Sequence, residues 1–338
     1  MNNDHLKVLI YKGNYQVVKE SGVGKAINHQ ERVLQSAGVD LAQDWDDDWS
    51  IVHINTVFPD SVRHAKKAKK MGRKVVYYGH STEEDFRNSF HLSNVAAPLF
   101  KKWICHCYKT GDVIITPSPY SKQLLKSYGI DKPIHNLSNG IDTEFFKPNP
   151  TAKARLIERY RLNPQRKIVV SVGLFIKRKG ILEFLALAKD MPDVQFVWFG
   201  HTDLKLIPKE VSQAIRNKPS NVLFPGYVSS EVLRDAYCGA DCFLFLSHEE
   251  TEGIVVLEAL ACEAPTIVRD IPVYKPWLVD GQSVFMVQDD AEAKARLRTI
   301  LSGQSPDLSQ GARDLALSRS LQEVGKALIA IYEKEGLV

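Results

Sequence analysis

The chain has 338 residues, 44% hydrophobic and 25% charged, with a formal net charge of +4. That length exceeds one ordinary core and suits two domains, while the composition excludes a disordered or fibrous chain. The longest apolar runs, such as 168–176, fall short of the about 20 residues that a membrane span needs.

The start, Met-Asn-Asn-Asp-His, lacks a basic-then-apolar secretion pattern, so a cytoplasmic protein is expected. The five cysteines fit that reading, being odd in number and without a Cys-x-x-Cys. Cys105-His106-Cys107 has no second ligand pair at zinc spacing, and buried thiols are expected there. The charge is uneven along the chain. Residues 1–150 hold 20 Lys and Arg against 16 Asp and Glu, and the remainder balances at 24 each. Within 63–109 there are eleven basic and three acidic residues, so one domain carries a basic surface.

In chain order, β-rich apolar runs fall at 6–12, 51–54, 74–78 and 112–116, then at 167–174, 195–199, 222–224, 241–246 and 265–268. Runs apolar on both faces and separated by helix-length segments indicate parallel sheets covered on both sides. The expected class is α/β, two Rossmann-like doubly wound domains facing a cleft. Residues 147–166, with Pro148, Pro150 and Pro164, read as the linker. Open sheets of this kind bind ligands beyond the carboxyl ends of their strands.

Four constellations lie at such ends. Ser21-Gly22-Val23-Gly24-Lys25 opens a helix after the first strand. Its glycines let backbone approach an anion at the helix N-terminus, or simply make a tight turn. It is neither a Walker A loop nor a full dinucleotide fingerprint, since Ala26 and Ile27 replace the required residues. Gly79-His80-Ser81-Thr82 follows the strand at 74–78, and His80 could donate to a leaving phosphate or a substrate hydroxyl, or serve structurally.

Gly173 to Gly180 includes Lys177, Arg178 and Lys179 between a buried strand and the helix expected at 181–190. Three cations there suit a diphosphate, or form a solvated basic loop. Glu249-Glu250-Thr251-Glu252-Gly253 leads into a helix expected at 254–262. The amides of Gly253, Ile254 and Val255 would cradle a phosphate. Glu250 could accept from sugar hydroxyls and Glu258 could hold a ribose, although acids near a helix N-terminus are also favourable on their own. A sugar nucleotide accounts for both the acids and the cations.

These residues resemble a known family. Glu250-x7-Glu258 with Gly253-Ile254-Val255 inside it is similar to the signature of retaining GT-B glycosyltransferases of family 4. So are Asn139-Gly140-Ile141-Asp142 with Phe146 and Pro148, the Lys179-Gly180 pair after Gly173, and Asp280-Gly281. The resemblance implies an acceptor domain at 1–148, a nucleotide-sugar domain at 149–314, and a helix within about 315–338 that packs back on the first domain. It implies catalytic roles for His80, Glu250, Lys179 and Arg178. The donor would also meet Gly22, Gly24, Gly173, Gly253, Ile254, Val255 and Glu258. Leu174 stands where the family commonly has an arginine, and Arg178 is given that role. Helix amides and cations would stabilise the departing diphosphate, so no metal or other cofactor is expected. Asp44-x-Asp46-x-Asp48 resembles a metal-binding pattern of another fold and is expected to be a surface loop.

For the acceptor, the helix expected at 62–71 carries Arg63, Lys66, Lys67, Lys69 and Lys70, followed by Arg73 and Lys74. Phe86, Phe90, Phe100 and Trp103 follow among further cations. Anionic lipid would attract such a surface, and a solvated crossover helix beside core aromatics fits the same composition. Gly79 to Phe90 and Glu249 to Gly253 look like the Gram-positive enzymes that glycosylate diacylglycerol or its monoglucosyl derivative. Those enzymes use UDP-glucose or UDP-galactose and build glycolipids that can anchor lipoteichoic acid. The expectation is therefore a hexosyltransferase at the inner face of the cell membrane, with anionic lipid as partner and no nucleic acid. The alternatives are a family-4 enzyme with a soluble or polyprenyl-linked acceptor, and a non-catalytic sugar-nucleotide-binding protein.

Overall fold

The structure is a computed structural model and describes residues 6–338. It divides into two units. The first comprises residues up to Phe86, Val95–Gly140 and Arg319–Val338, and the second comprises Arg87–Asn94 and Ile141–Ser318. The crossings fall after Gly140 and Ser318, where the sequence led us to expect 148 and 314.

In the first unit the order is β1 (Lys7–Tyr11), α1 (Tyr15–Val18), α2 (Gly22–Ser36), β2 (Asp40–Leu41), β3 (Ile51–Ile54), α3 (Pro59–Lys70), β4 (Lys74–Tyr78), α4 (Glu83–Phe86), α5 (Ser93–Tyr108), β5 (Val113–Thr116), α6 (Pro119–Ser127) and β6 (Ile134–Asn136). The strands pair in parallel in the order β2-β1-β3-β4-β5-β6. Buried Ile, Val and Tyr on both faces of β3, β4 and β5 require cover from both sides, which the helices supply.

The second unit holds α7 (Ala152–Tyr160), β7 (Ile168–Val172), α8 (Ile181–Asp190), β8 (Gln195–Phe199), α9 (Lys209–Arg216), β9 (Val222–Gly226), α10 (Ser230–Gly239), β10 (Cys242–Phe245), α11 (Ile254–Ala261), β11 (Thr266–Arg269), β12 (Phe285–Val287), α12 (Asp290–Leu301) and α13 (Ser309–Leu317). Its sheet is also parallel, in the order β12-β11-β10-β7-β8-β9. The chain then returns to the first unit as α14 (Leu321–Lys334).

Each sheet therefore has one place where consecutive strands run off in opposite directions: between β1 and β3, and between β7 and β10. The loops that leave such neighbouring strands diverge and open a crevice at their carboxyl ends. The four constellations noted in the sequence lie at or next to these two places.

Three features differ from expectation. The presumed linker contains α7, because its prolines flank the helix instead of interrupting it; Ala152 and Leu156 are buried, and Arg155 Nε donates to Asp235 Oδ2 of α10 at 2.7 Å. The helical pattern at 309–335 breaks into α13 and α14 where Ser320 caps the second, accepting from Glu323 N at 3.4 Å. On α14, Leu321, Val324, Leu328 and Tyr332 form one buried stripe. At about 1.5–3 kcal/mol per fully buried apolar side chain, this stripe adds to the core that covers one face of the first sheet. The short strands β2, β6 and β12 were too brief to carry a pattern.

Candidate functional site

In the second unit, the loop from β7 turns through Lys177–Lys179 as one 3-10 turn into α8, and the loop from β10 runs through Ser247 to Gly253 into α11. Lys179 Nζ and Glu250 Oε1 form a short charge-assisted hydrogen bond. Ser247 Oγ donates to the same carboxylate oxygen at 2.7 Å, and Arg178 Nη1 lies 3.9 Å from it. Burial is the largest influence on the Glu250 carboxyl and pushes its pKa up. The charges of Lys179 and Arg178, with the bonds from Lys179 and Ser247, outweigh burial and hold it below the usual carboxylate range. Glu250 is therefore an anion at neutral pH although only 7% exposed. The aliphatic part of Lys179 packs across Gly173, and its ammonium lies 5.4 Å from the Phe245 ring centroid.

Gly253 takes the left-handed conformation, with φ of 91°, and becomes the N-cap of α11. A Cβ there would come within 2.8 Å of the Tyr274 hydroxyl, so only glycine fits. The amides of Ile254 and Val255 follow it at the start of the helix. Glu258, one turn further on, is buried and accepts from the Tyr237 hydroxyl at 2.7 Å, with that hydroxyl kept protonated mainly by burial. Arg313 of α13 ties off the other end of α11 by donating to the Ala261 carbonyl at 2.6 Å and to the carbonyls of Phe146 and Thr143.

In the first unit, His80 follows β4 and Asn55 follows β3. His80 Nε2 donates to Asn55 Oδ1 at 2.8 Å, and Gln30 of α2 donates to the same oxygen at 2.6 Å. Asn55 Nδ2 returns a bond to Gln30 Oε1 at 3.1 Å. With its proton on Nε2, the imidazole presents Nδ1 as an acceptor. Burial lowers the His80 pKa to about 4, so the ring is neutral at physiological pH.

The helix expected from the Gly22 pattern is α2, but Gly24 has an internal reason to be glycine. A Cβ would lie 2.4 Å from the Val18 carbonyl and 2.6 Å from that of Lys19, so the preceding loop presses on the helix. Nothing lies within 4 Å of a Cβ built on Gly22.

The basic and aromatic segment also sorts differently. Val62, Ala65 and Ala68 are buried as expected, while Lys69 pairs with Asp112 at 2.9 Å and Arg73 with Asp48 at 2.9 Å. Lys67 lies over Trp45, and Arg73 also over Trp49. Residues distant in sequence thus supply the acids and rings that the segment lacks. Arg63, Lys66, Lys70 and Lys74 remain exposed. Phe86 and Phe100 stack on each other with centroids 4.2 Å apart, and Phe100 joins the core, so neither is an outward anchor. The outward residues of α5 are Val95, Leu99 and Trp103, spaced four apart and exposed by 77%, 71% and 37%. Phe90 and Leu92 are exposed ahead of them.

In the acidic loop Asp44 accepts from the Asp46 amide at 2.9 Å and Asp47 pairs with Lys7 at 2.8 Å. Among the described residues no group of three or more His, Cys, Asp or Glu converges as metal ligands, and all five cysteines are free. Sequence reasoning missed Asn55, Gln30, Ser247 and Arg313. Asn55 directly follows β3 and Ser247 lies two residues beyond β10, positions that could have drawn notice.

A model described as Glycosyltransferase Family 4 matches residues 28–145, and one described as Glycosyl transferases group 1 matches residues 152–314. The processive diacylglycerol alpha-glucosyltransferase of Acholeplasma laidlawii is 37% identical over 332 residues, covering 97% of this chain and 98% of that protein. The alpha-galactosylglucosyldiacylglycerol synthase of Streptococcus pneumoniae is 25% identical, covering 99% of this chain and 91% of that one. Among solved structures, Anabaena HepE with UDP-glucose superposes with a TM-score of 0.74 at 14% identity, over 98% of this chain and all of that one. At that identity the likeness bears on the fold alone.

Proposed function

Since the chain belongs to glycosyltransferase family 4 and has the GT-B fold, we propose that it moves a glucose or galactose from a UDP-sugar to a diacylglycerol-based glycolipid. The observation that carries this reading is the pairing of Lys179 and Arg178 with Glu250 beside the N-terminus of α11. A sugar nucleotide satisfies every member of this group. Its diphosphate takes the two cations and the α11 amides, and its sugar hydroxyls donate to the Glu250 carboxylate. When the sugar leaves, negative charge accumulates on the diphosphate. Fixed cations and amides stabilise that charge more in the transition state than in the ground state, which is what accelerates the reaction. The residues thereby perform the role a metal plays elsewhere, and no metal is required. His80, neutral and fixed by Asn55, would offer the acceptor a hydrogen-bonding nitrogen and not a positive charge. Retention of configuration rests on the family.

The lipid half of the reading is supported by the names of the two relatives and by α5. Val95, Leu99 and Trp103 would enter the membrane interface. Beside them lies an open groove of about 650 Å³ lined by Pro98, Lys101, Lys102, Cys105, Lys109 and Glu83; Glu83 pairs with Lys101 at 3.3 Å, which leaves Lys102 and Lys109 to meet an anionic headgroup. The enzyme would then sit peripherally on the inner face of the cell membrane. The decisive experiment incubates the protein with radiolabelled UDP-glucose or UDP-galactose and vesicles containing diacylglycerol or monoglucosyl diacylglycerol. Labelled glycolipid is expected; label in a soluble or polyprenyl-linked acceptor alone would redirect the proposal to a different acceptor class.

A further inference from the structure

The segment Arg87–Asn94 comes from the first half of the sequence but belongs to the second unit. It is a short strap that builds its own shape. Asn88 is left-handed, with φ of 56°, and is clamped to Asn94 in both directions: Asn88 N donates to Asn94 Oδ1 at 2.9 Å, and Asn94 Nδ2 donates to Asn88 Oδ1 at 2.9 Å. His91 N donates to the Leu206 carbonyl at 3.2 Å, which fixes the strap to the rest of its unit.

The strap meets Arg178 twice. Arg178 N donates to the Asn88 carbonyl at 3.3 Å, and Arg178 Nε donates to Ser89 Oγ at 3.2 Å. Ser89 is 2% exposed, and its hydroxyl points its hydrogen at the Arg87 carbonyl at 3.5 Å, which turns a lone pair towards the guanidinium. On the opposite side Arg178 Nη1 donates to the Glu249 carbonyl at 2.6 Å. The guanidinium is planar of itself, and bonds from two of its nitrogens, Nε and Nη1, to acceptors on opposite sides hold that plane in one orientation. No hydrogen bond among the described residues engages Nη2, the donor left over.

We propose that Ser89 is a positioning residue for Arg178, holding the guanidinium so that Nη2 faces the donor diphosphate. The proposal rests on the donor reading above and adds to it a residue far from the donor loops in sequence. An arginine left to rotate would lose side-chain entropy on meeting each phosphate; one already oriented binds without that cost. A serine that merely shaped the strap would have no such dependence on Arg178.

A double-mutant cycle on UDP affinity, read by calorimetry on the full chain, separates these cases. Ser89→Ala is expected to weaken UDP binding about tenfold, as loss of a hydrogen bond to a charged group does. Ser89→Thr, which keeps the hydroxyl, is expected to restore affinity to within about threefold. In an Arg178→Ala background, Ser89→Ala should change nothing further. Equal loss in both backgrounds, or no loss in the single variant, overturns the proposal while leaving the donor site standing. If the unchanged protein gives no heat with UDP, or Arg178→Ala binds UDP normally, the donor reading of Arg178 falls first and Ser89 with it.

Discussion

Lys179 and Glu250 each neutralise a charge that would otherwise be costly to keep in so buried a place. Lys179→Ala should lower turnover roughly 100-fold, by analogy with removal of one transition-state charge donor; steady-state assays with UDP-glucose check this, and unchanged turnover would take Lys179 out of the mechanism. The same substitution leaves a buried carboxylate with its main partner gone. Because Glu250 is held below its usual pKa, its contribution to stability is present above the unfolded value of about 4.3 and is lost as pH falls. Lys179→Ala should therefore melt lower than wild type at pH 7, with the difference narrowing towards pH 4 in a calorimetric series. Both residues were legible in the sequence because each sits directly in a loop at a strand end. Ser89, Asn55 and Gln30 were not, since their importance lies in partners 89, 25 and 25 positions away, and one chain of letters does not say which loops meet.

Secondary elements are legible in the sequence wherever pattern and length agree. All nine β-rich apolar runs form strands, because a buried parallel strand is apolar on both faces over several residues. Short edge strands and α7 escaped, the first for want of length and the second because flanking prolines resembled a linker. The helix α5 shows where pattern alone misleads: its aromatic content pointed to Phe100 as an outward anchor, whereas the outward face is Val95, Leu99 and Trp103. Replacing Val95 and Leu99 together by serine should reduce binding to phosphatidylglycerol vesicles at least tenfold, given about 0.8 kcal/mol per buried methylene, while leaving the melting temperature unchanged. Vesicle sedimentation at several salt concentrations measures the first, and wild-type binding would show that another surface docks. At the start of α11, Gly253→Ala should destabilise the second unit by about 1–3 kcal/mol, the cost of a strained backbone position; chemical denaturation reads this.

Among the described residues of the molecule, folding forces the imidazoles of His53 and His80 to stay neutral. Burial lowers the pKa of His53 to about 3 and that of His80 to about 4, against about 6.5 in an unfolded chain. Such groups favour the folded state fully above pH 6.5 and progressively less as the solution is acidified towards their folded values. Each should cost about 2 kcal/mol at pH 5 relative to neutral pH. Urea unfolding of the first unit at pH 7.5 and 5 tests this, and a flat profile would show that the imidazoles ionise in place. The two-sheet plan and its parallel strands were legible in the alternation of runs. The assignment of segments to units was less so, because Arg87–Asn94 and the last twenty residues join partners that composition does not mark.

The placement of α14 bears on how the polypeptide matures. Its buried stripe, with Tyr332 bonded to His53 of β3, completes the unit that contains the earliest residues. On a ribosome, the opening sheet would therefore emerge long before its final cover, whereas residues 141–318 could condense with little delay. A nascent chain stalled near residue 318 should show protease resistance in its later portion and sensitivity in its earlier one.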